Sequence, residues 1–566
     1  MVFSKVPRVF ILAGFVLTIL VLGMNHYLYD DQTYYPSTPI THSEPKGEEA
    51  DWSHATRPGD PAVVGEGPFA EDGIGSSAVS PVSETQPDSL GAESLAPAVA
   101  HSTTINAKPV ATPAELLHPG DSQYDEPGPI LPPGQCPELD FMKRVHSREQ
   151  LSDKVRYKKI CVEPIFSPDV DRNEVANVST SLFGDEVTID IHKCNEARLP
   201  RCTSVKVHVP EPYARFNVSH LIFGVSTDYE RLEDAVGAFA HWLSRPSGNP
   251  AKLVALVTDY SSHKNAKIEE LDQKFRDAGV DVVLVEPLHR SYSTSQSHFT
   301  VIAHMLNYST PETQWYGLLD DDTFFPRGLK PLSDALAKLD PTKDHYVGAL
   351  SEDLQAVRTF GFMAFGGAGA YLSAPLAKKL GNQLDRCIED ATGTEGDIII
   401  RDCVYKNSKA KLTILPGLFQ QDMKEDASGF FESGVQAINF HHWKSWYQAP
   451  VIQMGAASQF CGDCFLQRWR FGADTVFTNG YSIVKYLYDI DYLDLDRMEG
   501  TWSNANEDFD FSIGPLRRKL VPDEKKSYQL KDAEFSNHGE FKQLYIWKGN
   551  SEANEADGII EMVWRK

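Results

Sequence analysis

The chain has 566 residues, room for more than one domain at roughly 150 residues each, and 41% of it is apolar, which is ordinary for a protein with a packed core. Lys and Arg total 54 against 79 Asp and Glu, a formal net charge of -25. With no basic block in the chain, this balance argues against nucleic acid as a partner.

Lys5 and Arg8 precede an uncharged apolar run over residues 9–24, extendable to Leu28, and Asp30 and Asp31 follow it. Crossing a bilayer takes ~20 such residues, and positive charge before the run favours a cytoplasmic N-terminus. The expectation is a cytoplasmic tail over 1–8 and a transmembrane signal anchor over 9–28, with the remainder lumenal. A cleaved signal peptide would need a small-residue site, where the chain has Tyr27, Leu28 and Tyr29. Cys136, Cys161, Cys194, Cys202, Cys387, Cys403, Cys461 and Cys464 all lie beyond the run, an even number available for pairing in an oxidising compartment. So do the acceptor sequons at Asn177, Asn217 and Asn307. Cys461-Gly-Asp-Cys464 is half of a zinc pattern whose second CxxC is missing, which argues against zinc.

Residues 29–135 are rich in Pro, Ser, Gly, Glu and Ala, as in SEPKGEEADWSHATRPGDPAVVGEG. Such a stretch buries too little apolar surface to offset its chain entropy, so a disordered stem that gives a tethered head its reach is expected. Residues 136–220 hold the strand-like pieces VTIDIH and VKVHV and read as a cysteine-containing lead-in. From Leu221 strands alternate with helices. HLIFGVST, AKLVALVTD and VDVVLVEP read as buried strands; LEDAVGAFAHWL, KIEELDQKFRDAG and FTVIAHMLN read as helices, the second ended by Gly279. This alternation predicts βαβ units and a parallel, Rossmann-like sheet, with chemistry beyond the carboxyl ends of the strands. Thr227, Asp228 and Asp259 stand at such ends and are candidate nucleotide contacts by position alone.

The sharpest motif is WYGLLDDDTFFP, residues 315–326. Asp320, Asp321 and Asp322 close an apolar strand, and three adjacent carboxylates repel one another unless a cation or hydrogen bonds compensate. Alternation along an extended chain turns Asp320 and Asp322 to the same side, where hard oxygen ligands suit Mg²⁺ or Mn²⁺ together with a diphosphate. The plain alternative is a solvated acidic turn or helix cap. A haloacid-dehalogenase-type phosphatase also places Asp-x-Asp-x-Thr after a strand, but with Asp320 first the Thr position falls on Phe324, which argues against covalent phosphoryl chemistry. Gly366, Gly367 and Gly369 surround Ala368 ahead of a helix-like segment and leave bare backbone for a ligand or a tight turn, though glycine clusters also serve packing. Asp397 in EGDIIIRDC lies between Cys387 and Cys403, and NFHHW supplies His441 and His442. Imidazole is often structural, and it also completes Mn²⁺ sites.

Taken in order, DDD after a Trp-bearing strand, GGAG, an acid before a Cys, and Phe-His resemble the Fringe and core-1 β1,3-galactosyltransferase family, glycosyltransferase family 31. The match over about 221–446 is closer still to that family's branch with a domain of unknown function. The resemblance implies a GT-A fold, an α/β class with a Rossmann-like mixed sheet flanked by helices, placed over 221–450. It also implies Mn²⁺ (or Mg²⁺), a UDP-sugar donor, a glycan or glycoprotein acceptor, and inverting transfer that generally makes a β1,3 linkage. Carried over by position, Asp320 and Asp322 match the family's DxD acids, Asp322 as direct metal ligand, with Asp321 between them on the donor side. His441 matches the Phe-His ligand, with His442 as fallback. Gly366, Gly367 and Gly369 match the loop beside donor and acceptor, and Asp397 matches one acid of a paired motif and is the candidate general base. The chain departs from the pattern at Gly396, where a second acid is usual, and at Arg401, where relatives often have Gly. With the anchor, the expectation is a Golgi membrane protein, single-pass and type II.

A base near the acceptor would take a hydroxyl proton as that oxygen attacks the anomeric carbon, while metal and positive groups neutralise the departing UDP. The rival from another class is a catalytically silent, lumenal carbohydrate-binding or chaperone-like relative, which predicts loss of the metal acids. Residues 451–566 are an aromatic-rich C-terminal extension whose rings either pack in a core or stack on sugars. The sugar, the acceptor, the disulfide pairing and the oligomeric state stay open, a homodimer being compatible with the sequence.

Overall fold

Buried apolar runs decide the central sheet. The computed structural model describes residues 137–566 apart from 185, 194–201, 215, 245–247, 250 and 504–512. The expected tail (1–8), anchor (9–28) and stem (29–135), with Cys136 and Cys194, lie outside the described residues. Among the described residues no helix is long and apolar enough to cross a membrane.

The strands Leu221–Thr227, Lys252–Val257, Val282–Val285 and Trp315–Leu319 pair in parallel within a seven-stranded mixed sheet. The first and last of them are buried along nearly their whole length, as a sheet covered on both faces requires. Helices make the crossovers. Thr294–Tyr308 opens on a capping box between Ser293 and Gln296. Asn265–Asp277 stops where Gly279 takes φ 80° and the Val280 amide reaches back to the Phe275 carbonyl. The run LEDAVGAFAHWL, expected as one helix, is two, Tyr229–Asp234 and Val236–Leu243, joined at Ala235. The first is capped by Asp228, whose carboxylate accepts the Arg231 amide.

Strand order gives this sheet its crevice. Leu221–Thr227 lies between Lys252–Val257 on one side and Trp315–Leu319 on the other, so the winding direction reverses between it and the last strand. Ligands of open α/β sheets bind at the carboxyl ends of the strands at such a reversal, and here those ends are Thr227 and Asp320. Beyond Trp315–Leu319 the sheet turns mixed. Ala370–Ser373 runs antiparallel to it and to Tyr346–Gly348, and Leu412–Ile414 closes the edge. The segment after the glycines, expected to be helical, is first this strand; the helix Ala374–Gly381 follows it.

The lead-in and the C-terminal extension share one ten-stranded sheet. Lys154–Phe166 runs parallel to Gly558–Trp564, Arg156 opposite Gly558 through Val162 opposite Trp564. Trp469, Phe477, Tyr545 and Trp564 are fully buried in a core cluster that also holds Phe223, Trp242 and Trp315 from around the first sheet. These C-terminal aromatics are therefore core residues, not a ring-stacking surface. Disulfides join Cys161 to Cys202, Cys387 to Cys403 and Cys461 to Cys464.

Candidate functional site

Two short pairings assemble the site. After Trp315–Leu319 the chain turns through Asp320, Asp321 and Asp322, and Phe324 then pairs with Phe440 by two backbone bonds of 2.9 and 2.7 Å. Phe324 itself is buried. This bridge sets His441, the next residue along, against the acids. Asp320 and Asp322 face the same side: His441 Nε2 lies 3.1 Å from Asp322 Oδ1 and 3.4 Å from Asp320 Oδ2. Asp321 points elsewhere. Its carboxylate accepts two bonds from the Arg231 guanidinium, of 2.6 and 2.5 Å, and one of 2.5 Å from the Thr227 hydroxyl.

The histidines are oriented from behind. A carbonyl can only accept, so the 2.9 Å contact from His441 Nδ1 to the Gln420 oxygen puts the proton on Nδ1 and leaves Nε2 for the acids. His442 stacks flat on Trp446, centroids 4.0 Å apart, and its Nε2 bonds Asp422 Oδ1 at 3.1 Å. Gln421 and His442 both hold positive φ, 60° and 58°, left-handed backbone that costs non-glycine residues on the order of 1 kcal/mol or more and tends to cluster at functional sites.

The glycine loop is explained by what fills its missing side chains. A Cβ on Gly367 would stand 2.0 Å from His441 Nδ1, and one on Gly366 would stand 2.7 Å from Asp397 Oδ1. Gly369 has φ 87°. The Gly366 amide donates to Asp397 Oδ2 at 2.8 Å, so bare backbone seats the candidate base and the candidate ligand side by side. Asp397 lies in the first turn of the helix Gly396–Asn407. Gly396 is small for a packing reason: a Cβ there would meet His298 and the Ser295 carbonyl at 3.0 and 3.1 Å. Arg401 is occupied with Asp402, Thr392 and the Phe360 carbonyl. Asp259 binds the Tyr229 amide and His263 at the end of the neighbouring strand.

The electrostatics follow from this crowding. Burial works to raise Asp322, but the His441 charge outweighs it and holds the carboxyl well below the usual range. Burial would likewise depress His441, and Asp322 and Asp320 together hold it well above its ordinary value. The two carboxylates and the imidazole each favour the charged form of the other. Asp397 differs: burial, then the nearby Asp320 charge, push it up to about 6. Glu352, which accepts the Gln421 amide, is pushed up to about 8 by burial and by Asp422.

Sequence reasoning missed Arg231, Glu352, Gln420 and Asp422 as parts of this site. Arg231 carries a faint signal, three residues after the strand-end Asp228. Gln420 and Asp422 belong to the stretch LPGLFQQDMKEDASG, which forms the rear wall of both histidines.

The sheet, its strand-end acids and the paired histidines define an α/β protein with a candidate metal centre at a topological reversal. A family model described as "Protein of unknown function, DUF604" matches residues 355–450, a span that holds the glycine loop, Asp397, Asp422 and both histidines but not the three acids. No curated protein matches the sequence. Among solved structures, the chain is similar to mouse xyloside xylosyltransferase 1 in its apo form, at 11% identity and TM-score 0.24, over 34% of this chain and 84% of that one. It is also similar to the galactosyltransferase LgtC in complex with donor and acceptor sugar analogs, at 12% identity and TM-score 0.26, over 41% of this chain and 87% of that one.

Proposed function

We propose that this chain is a metal-dependent, inverting glycosyltransferase with a GT-A fold of the family 31 kind, transferring a sugar from a UDP-sugar to a glycan or glycoprotein acceptor through a β1,3 linkage. In this reading residues 9–28 anchor it in the Golgi membrane with the described unit lumenal, a setting in which three disulfides are at home. One observation carries the proposal: two carboxylates and two imidazoles converge at the carboxyl ends of parallel strands, where the winding reverses, with a raised carboxyl beside them.

The residues fit a divalent cation. Asp322, His441 and His442 each offer a ligand atom, all within 4.8 Å of one another, and Asp320 reaches the same imidazole. A mixed oxygen and nitrogen set favours a first-row transition ion such as Mn²⁺ over Mg²⁺. When bound, such an ion would serve as Lewis acid and template for the diphosphate. Asp397, held through Oδ2 by the Gly366 amide, takes the acceptor hydroxyl proton as that oxygen forms its bond to the anomeric carbon. The bond from that carbon to the UDP oxygen breaks on the opposite face, its electron pair leaving with UDP, so a single displacement inverts the centre. Arg231, fixed by Asp321, adds positive charge at the same strand end.

The test is a panel of nucleotide sugars offered to the full-length protein in detergent, reading UDP release and product with Mn²⁺ and with chelator. Mn²⁺-dependent turnover of a UDP-sugar is expected, reduced about 10²-fold or more in Asp322→Ala. Binding without transfer to any acceptor would identify a silent relative; no nucleotide sugar bound or consumed would end the proposal.

A further inference from the structure

A second group of ligating side chains lies in the lead-in, apart from the acids described above. The helix Pro137–Glu149 buries Leu139, Phe141, Met142 and Val145 against Val155, Tyr157, Ile189 and Leu544 of the ten-stranded sheet. At its C-terminal end the helix presents His146. The loop entering the next strand supplies Asp153, and the turn after Val187–Asp190 supplies His192.

The three side chains converge on one oxygen. His192 Nε2 is 3.3 Å and His146 Nε2 is 3.8 Å from Asp153 Oδ1, and the two rings meet edge to face with centroids 4.9 Å apart. One ligand atom from each residue lies within 4.8 Å of the others. Ligands bound at about 2.0–2.1 Å around a tetrahedral ion sit roughly 3.3–3.4 Å from one another, so this group is near the spacing a bound ion would impose. A pair of ordinary hydrogen bonds does not account for it. His146 Nε2 is buried and has no hydrogen-bond partner, an arrangement that is costly unless something else engages the nitrogen. Two imidazoles and one carboxylate suit Zn²⁺, with a water completing four-coordination.

We propose that His146, Asp153 and His192 form a second divalent-cation site, of the zinc type, that clamps the first described helix to the ten-stranded sheet. The site shares no residue with the strand-end acids, so it stands or falls independently of the transferase reading. Asp153 and His192 are largely exposed, at 77% and 57%, so replacing them removes ligands without opening the core.

The experiment titrates Zn²⁺ calorimetrically into the full-length protein carrying Asp322→Ala, which silences the other cation centre, and repeats it with His192→Ala or Asp153→Asn added. One equivalent of Zn²⁺ is expected to bind the Asp322→Ala protein and to raise its thermal midpoint. Either added substitution should weaken that binding more than tenfold and abolish the shift, leaving the metal-free midpoint unchanged. The same pair of variants on the otherwise unaltered chain guards against misfolding of Asp322→Ala: they should lower zinc stoichiometry by one. Absence of zinc binding in folded Asp322→Ala protein, or binding that both added substitutions leave intact, would overturn the site.

Discussion

Gly367 has no room for a methyl group, because the space a Cβ would take already holds the His441 ring. Gly367→Ala should therefore displace that imidazole while leaving the fold, and Mn²⁺ affinity is expected to fall more than tenfold by calorimetry, with far-ultraviolet circular dichroism unchanged. Asp397 offers a sharper kinetic test. Burial beside Asp320 raises its carboxyl to about 6, so the group is protonated and useless as a base below that pH and ionised above it. Under the proposed transfer, kcat/KM should rise with pH through about 6 and level off. Asp397→Asn should lower kcat about 10²–10⁴-fold and erase that acid limb, while Mn²⁺ binding persists. A variant that kept the limb would move the base elsewhere.

Among elements, the helix Gly396–Asn407 matters most, since it carries Asp397 to the glycine loop. The Cys387–Cys403 disulfide ties it to the preceding helix Leu384–Asp390 and closes a loop of sequence separation 16. By loop-closure entropy, such a cross-link stabilises by about 3 kcal/mol. Replacing both cysteines by serine should cost about 2–4 kcal/mol in chemical denaturation, with a loss of kcat at temperatures where the protein remains folded. The bridge between Phe324 and Phe440 works at the same scale. It joins residues 116 positions apart, 440 minus 324, and so brings a histidine from one segment to acids from another.

At the level of the whole molecule, the two ends of the described chain are one structure. Lys154–Phe166 needs Gly558–Trp564 as a strand partner, and Trp469, Phe477 and Trp564 complete the core that Phe223 and Trp242 begin. Truncation after residue 450 should accordingly give insoluble protein or a compact state without fixed packing, read as loss of near-ultraviolet circular dichroism and of nucleotide-sugar binding. A folded, binding-competent fragment would show instead that the extension is dispensable.

The apolar runs of the first sheet, the helices between them and the acids at the end of Trp315–Leu319 were legible in the sequence, because strand burial, helical period and glycine stops are local signals. Position along the chain also singled out Asp397, His441 and His442. What the sequence alone could not supply was partnership. Asp321 is taken up by Arg231 and Thr227, Asp422 braces His442, and the lead-in and extension pair strand to strand, because each contact joins residues far apart in the chain. The meaning of GGAG was decided at the same level: glycine at 366 and 367 permits many conformations, and only the packed structure reveals that an aspartate and a histidine occupy the space.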